Sequence, residues 1–190
     1  MGSFWGHLHT INHHRRLVRQ GCFQMGLYRQ GLTHDLSKYS PVEFLTGVKY
    51  YQGTRSPNIA EREEKGWSEA WMHHKGRNRH HWEYWTDLDT KTKTYQPVPM
   101  PKKYLAEMVA DRIAACKTYQ GKNYTDASAL SYLERSNEAR LLHPQTLREL
   151  RFLLTMLKDC GEAETFRYIR TCLQTGKAFC PEEETASAEI

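Results

Sequence analysis

Apolar residues recur every three or four positions over most of the chain, a period that predicts helices rather than strands. Phe4, Leu8, Ile11 and Val18 set a first helix over about 4–20, with Gly21 as its stop. Phe23, Leu27 and Leu32 continue a second pattern from 22 to 35, interrupted by Gly26 and Gly31. Ser40-Pro41-Val42-Glu43 combines a capping serine, a proline at the first helical position and a glutamate at the third. A third helix therefore starts at 41 and runs through Phe44, Leu45 and Val48 to about 51, and 52–58 is loop. Helical spacing resumes near 60 and passes through Trp67, Ala70 and Trp71 into a histidine-rich segment. Residues 87–100 are polar, with Pro97 and Pro99, and read as an irregular excursion or a short exposed hairpin. Pro101 opens the next helix, whose apolar face is Leu105, Met108, Val109, Ile113 and Ala114. After Gly121 come patterns over 126–142 and 144–161, and a last one carrying Phe166, Ile169 and Leu173 before Gly176. The expectation is a single compact all-α domain of about seven or eight helices over 1–180, followed by a mobile acidic tail at 181–190.

The 190 residues suffice for one domain with a buried core. Hydrophobic residues make up only 39%, but five Trp and eleven Tyr supply large buried area per residue. No apolar run approaches the ~20 residues of a membrane span, and the N-terminus lacks a basic-then-apolar leader, so a soluble cytoplasmic protein without membrane contact is expected. Cys22, Cys116, Cys160, Cys172 and Cys180 are scattered without a C-x-x-C pair, which argues against a disulfide framework and a zinc ribbon. The net charge of +5 could favour anionic partners, either a phosphorylated small molecule or nucleic acid.

Candidate chemistry gathers around Thr33-His34-Asp35-Leu36-Ser37-Lys38, where imidazole and carboxylate stand side by side. Borderline and hard divalent cations such as Zn²⁺, Fe²⁺ and Mn²⁺ accept that pair together. On the first helix His7, Ile11, His14 and Val18 share one stripe while His13 follows His9 around a neighbouring face, so His14 is the candidate to point inward. If helical geometry persists across Gly76, His74, Asn78 and His81 lie on one face with Trp71 and Trp85, and His73, Arg77 and His80 on the adjacent one. A break at Gly76 leaves the choice within each histidine pair open. Asp111, bounded by apolar residues, either binds a metal or pairs locally with Arg112 or Lys117.

The order His14, His34-Asp35, His74 or its neighbour, His81 or its neighbour, and Asp111 resembles the HD-domain superfamily of metal-dependent phosphohydrolases. The stretch His34 to Lys38 is similar to that family's His-Asp-x-Gly-Lys, with Ser37 in place of glycine. The resemblance implies that the first His, the His-Asp pair and the last Asp hold one ion, and that the two intervening histidines hold a second. A closer resemblance, covering most of the chain, is to a bacterial and phage domain family of unassigned activity. It shares H-D-x-S-K, H-H-x-x-R-N-x-H-H-W and M-V-A-D, here His34 to Lys38, His73 to Trp82 and Met108 to Asp111.

Three functions follow as expectations. In the first, one or two Mn, Zn or Fe ions held by His14, His34, Asp35, His74, His81 and Asp111 activate water against a nucleotide or another small phosphate ester. Asp35 then orients the nucleophile, Lys38 acts beside it, and Lys38, Arg77 and Asn78 contact the substrate. In the second, the same ligands hold two irons and the protein is an HD-type oxygenase acting on a small polar substrate, with Lys38 resembling the substrate-binding lysine of such enzymes. In the third, Trp71, Trp82, Tyr84 and Trp85 interleaved with Lys75, Arg77 and Arg79 form a non-enzymatic nucleic-acid or metal-binding surface.

Overall fold

A computed structural model of the chain describes residues 2–181. Apart from Pro181, the acidic tail expected over 181–190 lies outside the described residues. Among the described residues, eight α-helices and one two-stranded sheet make an all-α fold, 71% of it helical.

Helix α1 (Gly2–Gln24) runs past Gly21, which the sequence pattern marks as its stop. A methyl group at Gly21 would stand 3.2 Å from Ala110 and from Phe166, so the glycine serves close helix packing instead. The chain turns at Gly26, whose φ is 80°, and the Leu27 N–H bonds back to the Cys22 carbonyl at 2.8 Å. Helix α2 (Tyr28–Thr33) follows, and α3 (Pro41–Lys49) begins at the expected capping serine, Ser40. The helix expected from about 60 onward is two, α4 (Pro57–Lys65) and α5 (Glu69–Arg77), separated at Gly66 with φ 82° and restarted by Ser68, which accepts the Trp71 N–H at 3.0 Å. Helix α5 does not continue to Trp85. Asn78 is extended (φ −116°, ψ 104°), and its side-chain amide donates to the His74 carbonyl at 2.9 Å, satisfying a terminal acceptor.

Strands β1 (Thr86–Asp89) and β2 (Thr94–Pro97) pair antiparallel, Thr86 opposite Pro97 and Asp89 opposite Thr94, as the exposed hairpin that the polar stretch suggested. Helix α6 (Lys102–Gln120) leads to α7 (Ser128–Arg135) and a 3₁₀ turn at Asn137–Arg140, where one longer helix is expected. Helix α8 (Pro144–Thr175) is interrupted at Gly161 (φ 80°, ψ 172°), so the last two expected helices meet end to end.

The core forms around α6, in which every residue from Leu105 to Ala110 is buried. Leu105, Val109 and Ile113 join Val18 and Cys22 of α1 and Leu150, Leu153, Leu154 and Leu157 of α8 in one apolar cluster. Burying a leucine stabilises by about 1.5–3 kcal/mol, so this cluster fixes α1, α6 and α8 against one another. The cysteines are free thiols, Cys22 and Cys172 buried. Among the described residues no helix is long and apolar enough to cross a membrane.

Candidate metal centre

Asp35 stands at the middle of the site because the chain makes a strained turn there. Beyond α2 it adopts a left-handed conformation (φ 53°, ψ 28°), uncommon for a residue with a side chain and costing about 1 kcal/mol. Arg15 Nε donates to the neighbouring His34 carbonyl at 2.8 Å, and the Lys38 N–H bonds the Asp35 carbonyl at 3.0 Å. The turn drives the carboxylate inward until it is 1% exposed.

Its two oxygens then face different partners. Oδ2 lies 3.3 Å from His34 Nε2, 3.7 Å from His14 Nε2 and 2.7 Å from Lys38 Nζ. Oδ1 lies 3.3 Å from His74 Nε2 and 3.4 Å from His80 Nε2. Two groups of potential ligand atoms follow, each gathered within 4.8 Å: His14, His34, Asp35 and Asp111, and Asp35, His74, His80 and His81. All six residues that the sequence nominates as ligands converge here, and His80 joins them. Helical phase on α1 picks His14 correctly, for His14 is buried and His13 half-buried. The continuous-helix argument for His81 fails with the end of α5, yet the turn at 78–81 brings both His80 and His81 inward.

The donor set fits divalent ions. His14 Nε2, His34 Nε2, both Asp35 oxygens, His80 Nε2 and His81 Nε2 are buried without an aligned hydrogen-bond partner. Buried polar atoms are otherwise almost always satisfied, and a set of imidazole nitrogens and carboxylate oxygens gathered in this way could hold a cation. Asp111 belongs to it rather than to a local ion pair. Arg112 is engaged by Glu138 (2.6 Å) and Lys117 by Glu162, while Asp111 Oδ1 sits 2.9 Å from His14 Nε2.

Two carboxylates that sequence reasoning passed over hold the imidazoles from behind. Glu107 Oε1 accepts from His34 Nδ1 (2.9 Å) and lies 3.2 Å from His80 Nδ1, so one oxygen orients a ring of each pocket. Glu43 bonds His74 Nδ1 at 2.7 Å and His73 Nδ1 at 2.6 Å. This is the usual support of metal-binding histidines, which fixes the tautomer and leaves Nε2 free. Glu43 is hidden in the sequence by its place in a capping box, and Glu107 was legible as the residue one helical turn before Asp111.

Electrostatics keep most of these groups in ligating form. Burial pushes the Asp35 carboxyl up, but His34, Lys38 and His74 outweigh it and hold it well below the usual range. Asp111 follows the same pattern, with hydrogen bonds to His14 and His34 outweighing burial. Burial, then the Lys38 charge, lowers His14; burial, then His80 and His74, lowers His81 well below an ordinary imidazole. His34 goes the other way, because Asp35, Asp111 and Glu107 outweigh its burial, so an ion would displace a proton there.

A cavity of about 550 Å³ opens onto both pockets and is lined among others by Lys38, Tyr51, Arg62, Trp71, Arg112 and Tyr119. Lys38 thus stands where a substrate contact is expected. Arg77 and Asn78 do not line it. Arg77 is exposed and donates back to the His73 carbonyl, because α5 points it away from the cavity. Asn78 caps α5 and donates to Ser37 Oγ at 2.8 Å, tying the His34 to Lys38 turn to the histidine segment. Ser37 therefore has a structural partner that a glycine would lack.

The model of a family of unknown function, DUF5662, matches residues 3–156, a span that includes every residue of both pockets. Neither a curated protein nor a solved structure matches the chain.

Proposed function

The chain belongs to the DUF5662 family of unknown function, and we propose that it is a metal-dependent phosphohydrolase of the HD type acting on a nucleotide or another small phosphate ester. The observation that carries this reading is the Asp35 carboxylate, which turns one oxygen to each of two imidazole-rich pockets at the floor of a cavity. A carboxylate shared in that way is how two-metal hydrolases hold their ions close together.

His14, His34, Asp35 and Asp111 would hold one ion, and Asp35, His74, His80 and His81 the other. Bound there, such ions supply Lewis acidity and a hydroxide nucleophile near neutral pH. The chain's own groups do the rest. Glu43 and Glu107 lock the rings so that little reorganisation accompanies reaction. Lys38, which lines the cavity beside Asp35, offers a positive charge to a phosphoryl oxygen. Trp71, Tyr51 and Tyr119 supply apolar walls for the leaving group and exclude bulk water.

Elemental analysis of protein purified without added metal or chelator, beside a phosphate-ester panel, tests the reading. The expected result is about two manganese, zinc or similar ions per chain, with phosphate release that chelation abolishes. Phosphate release that survives full chelation would end it. Five imidazoles in the donor set also suit iron, which keeps an HD-type di-iron oxygenase as the second reading. About two irons that oxidise in air, without phosphate release, would favour that alternative.

A further inference from the structure

We infer that the two pockets load in order: Asp35 Oδ1 with His74, His80 and His81 takes the first divalent ion, and His14, His34, Asp35 Oδ2 and Asp111 take the second. In this scheme His80 is a ligand beyond the six that the sequence nominates, and Lys38 is the group that the second ion must displace. The inference rests on the metal-centre reading above.

The two pockets differ in donors. The first-loading pocket offers three imidazoles and one carboxylate oxygen; the other offers two imidazoles and two carboxylates. Nitrogen-rich sets suit borderline ions such as Zn²⁺ and Co²⁺. His80 has the geometry of a ligand rather than of a packed core histidine. Its Nδ1 is 3.2 Å from Glu107 Oε1, and its Nε2, buried and without a hydrogen-bond partner, is 3.4 Å from Asp35 Oδ1. His74 repeats the arrangement on the same oxygen, with Glu43 behind its Nδ1 and Nε2 3.3 Å away. Two of the three rings are therefore held in place by carboxylates before any ion arrives, which lowers the ordering cost of binding.

The pockets also differ in what an ion must break. Among the contacts of the described residues, Asp35 Oδ1 meets no lysine or arginine, whereas Oδ2 carries the Lys38 ammonium at 2.7 Å. In the same pocket Asp111 Oδ1 already lies 2.9 Å from His14 Nε2, so two of its ligands have settled on each other. Its extra carboxylate would otherwise favour a dication, but the lysine offsets that charge at contact distance.

Co²⁺ is a suitable probe, because four-coordinate Co²⁺ absorbs far more strongly in the visible than six-coordinate Co²⁺. The full chain, stripped of metal, is titrated with Co²⁺ by calorimetry and by absorption. Wild type is expected to bind in two resolved events. His80→Ala weakens the first event about 100-fold, while His14→Ala leaves it within about twofold and removes the second. Lys38→Met tightens the second event several-fold and leaves the first alone. His80→Gln, checked by circular dichroism, separates a lost ligand from a misfolded chain. A folded His80→Gln protein with a wild-type first event overturns the assignment, as does a first event lost in His14→Ala and kept in both His80 variants. Wild type that binds no Co²⁺ overturns the metal-centre reading with it; wild type that binds two ions in the reverse order overturns the loading order alone.

Discussion

Along one stripe of α6, Leu105, Val109 and Ile113 join the apolar cluster of α8; along the opposite stripe, Glu107 and Asp111 meet imidazoles. Both stripes are withdrawn from solvent, but they obey different rules. On the apolar side each residue is satisfied by contact alone, and stability grows with the area covered. On the polar side, Asp35 Oδ1 and the Nε2 atoms of His80 and His81 are buried without hydrogen-bond partners, each an expense of about 1–3 kcal/mol if nothing meets it. One face of a single helix thus stabilises the fold, and the stability it supplies lets the other face keep groups that stability alone would not select.

The sharpest way to break this division is Asp35→Ala. Since both pockets share that carboxylate, bound metal and turnover should both be lost, and elemental analysis that found full metal content would remove the site. Next comes Leu154→Ala, in the cluster behind α6 and fully buried. It should lower unfolding free energy by about 2–5 kcal/mol in denaturant titration and leave metal per chain unchanged. Metal loss there would mean that the two faces are not separable.

Gly47→Ala tests the seam between them. Gly47 lies in α3 against the His7 ring at the cavity wall, and a methyl group would overlap that imidazole. Alanine normally favours a helix by about 1 kcal/mol over glycine, but here a net loss of about 1–3 kcal/mol in thermal or chemical unfolding is expected. His7 itself gives a pH signature. Burial, then the Lys38 charge, lowers its pKa to about 4 from 6.5. The unfolded chain takes up the proton first, so stability falls as pH drops from 6.5 and the loss levels off near 4. The contribution, discounted for solvent screening, is about 1–2 kcal/mol. His7→Gln should remove this part of the acid sensitivity in melts run across that range; an unchanged profile would show the ring is not held neutral. The smallest expected effect is His13→Ala, which should leave metal content unchanged where His14→Ala costs about one ion. The reverse order would show that the facing of α1 was misjudged.

Much of the apolar face was legible, because a period of 3.6 survives in any sequence that must bury one side of a helix. The long pattern through Leu150, Leu154 and Leu157 and the serine-proline start of α3 are of that kind. Helix ends were less so. Gly21 and Gly66 look alike in the sequence, yet one sits inside α1 against Ala110 and the other adopts φ 82° and ends α4. Only a neighbouring helix distinguishes a glycine that admits packing from one that turns the chain.

For the site, residue type and order singled out His34, Asp35 and Asp111, helical phase added His14, and the choice between His74 and His73 and between His81 and His80 stayed open. The tertiary structure decided what spacing could not. It added His80, because a turn rather than a helix carries 78–81; it removed Arg77, because α5 aims it outward; and it made Glu43 and Glu107 supports of the rings, because α3 and α6 bring them there. Ligand chemistry is a property of residue types and can be read one residue at a time. Convergence is a property of distances across the fold, between residues as far apart in sequence as His34 and Glu107, and only packing sets those.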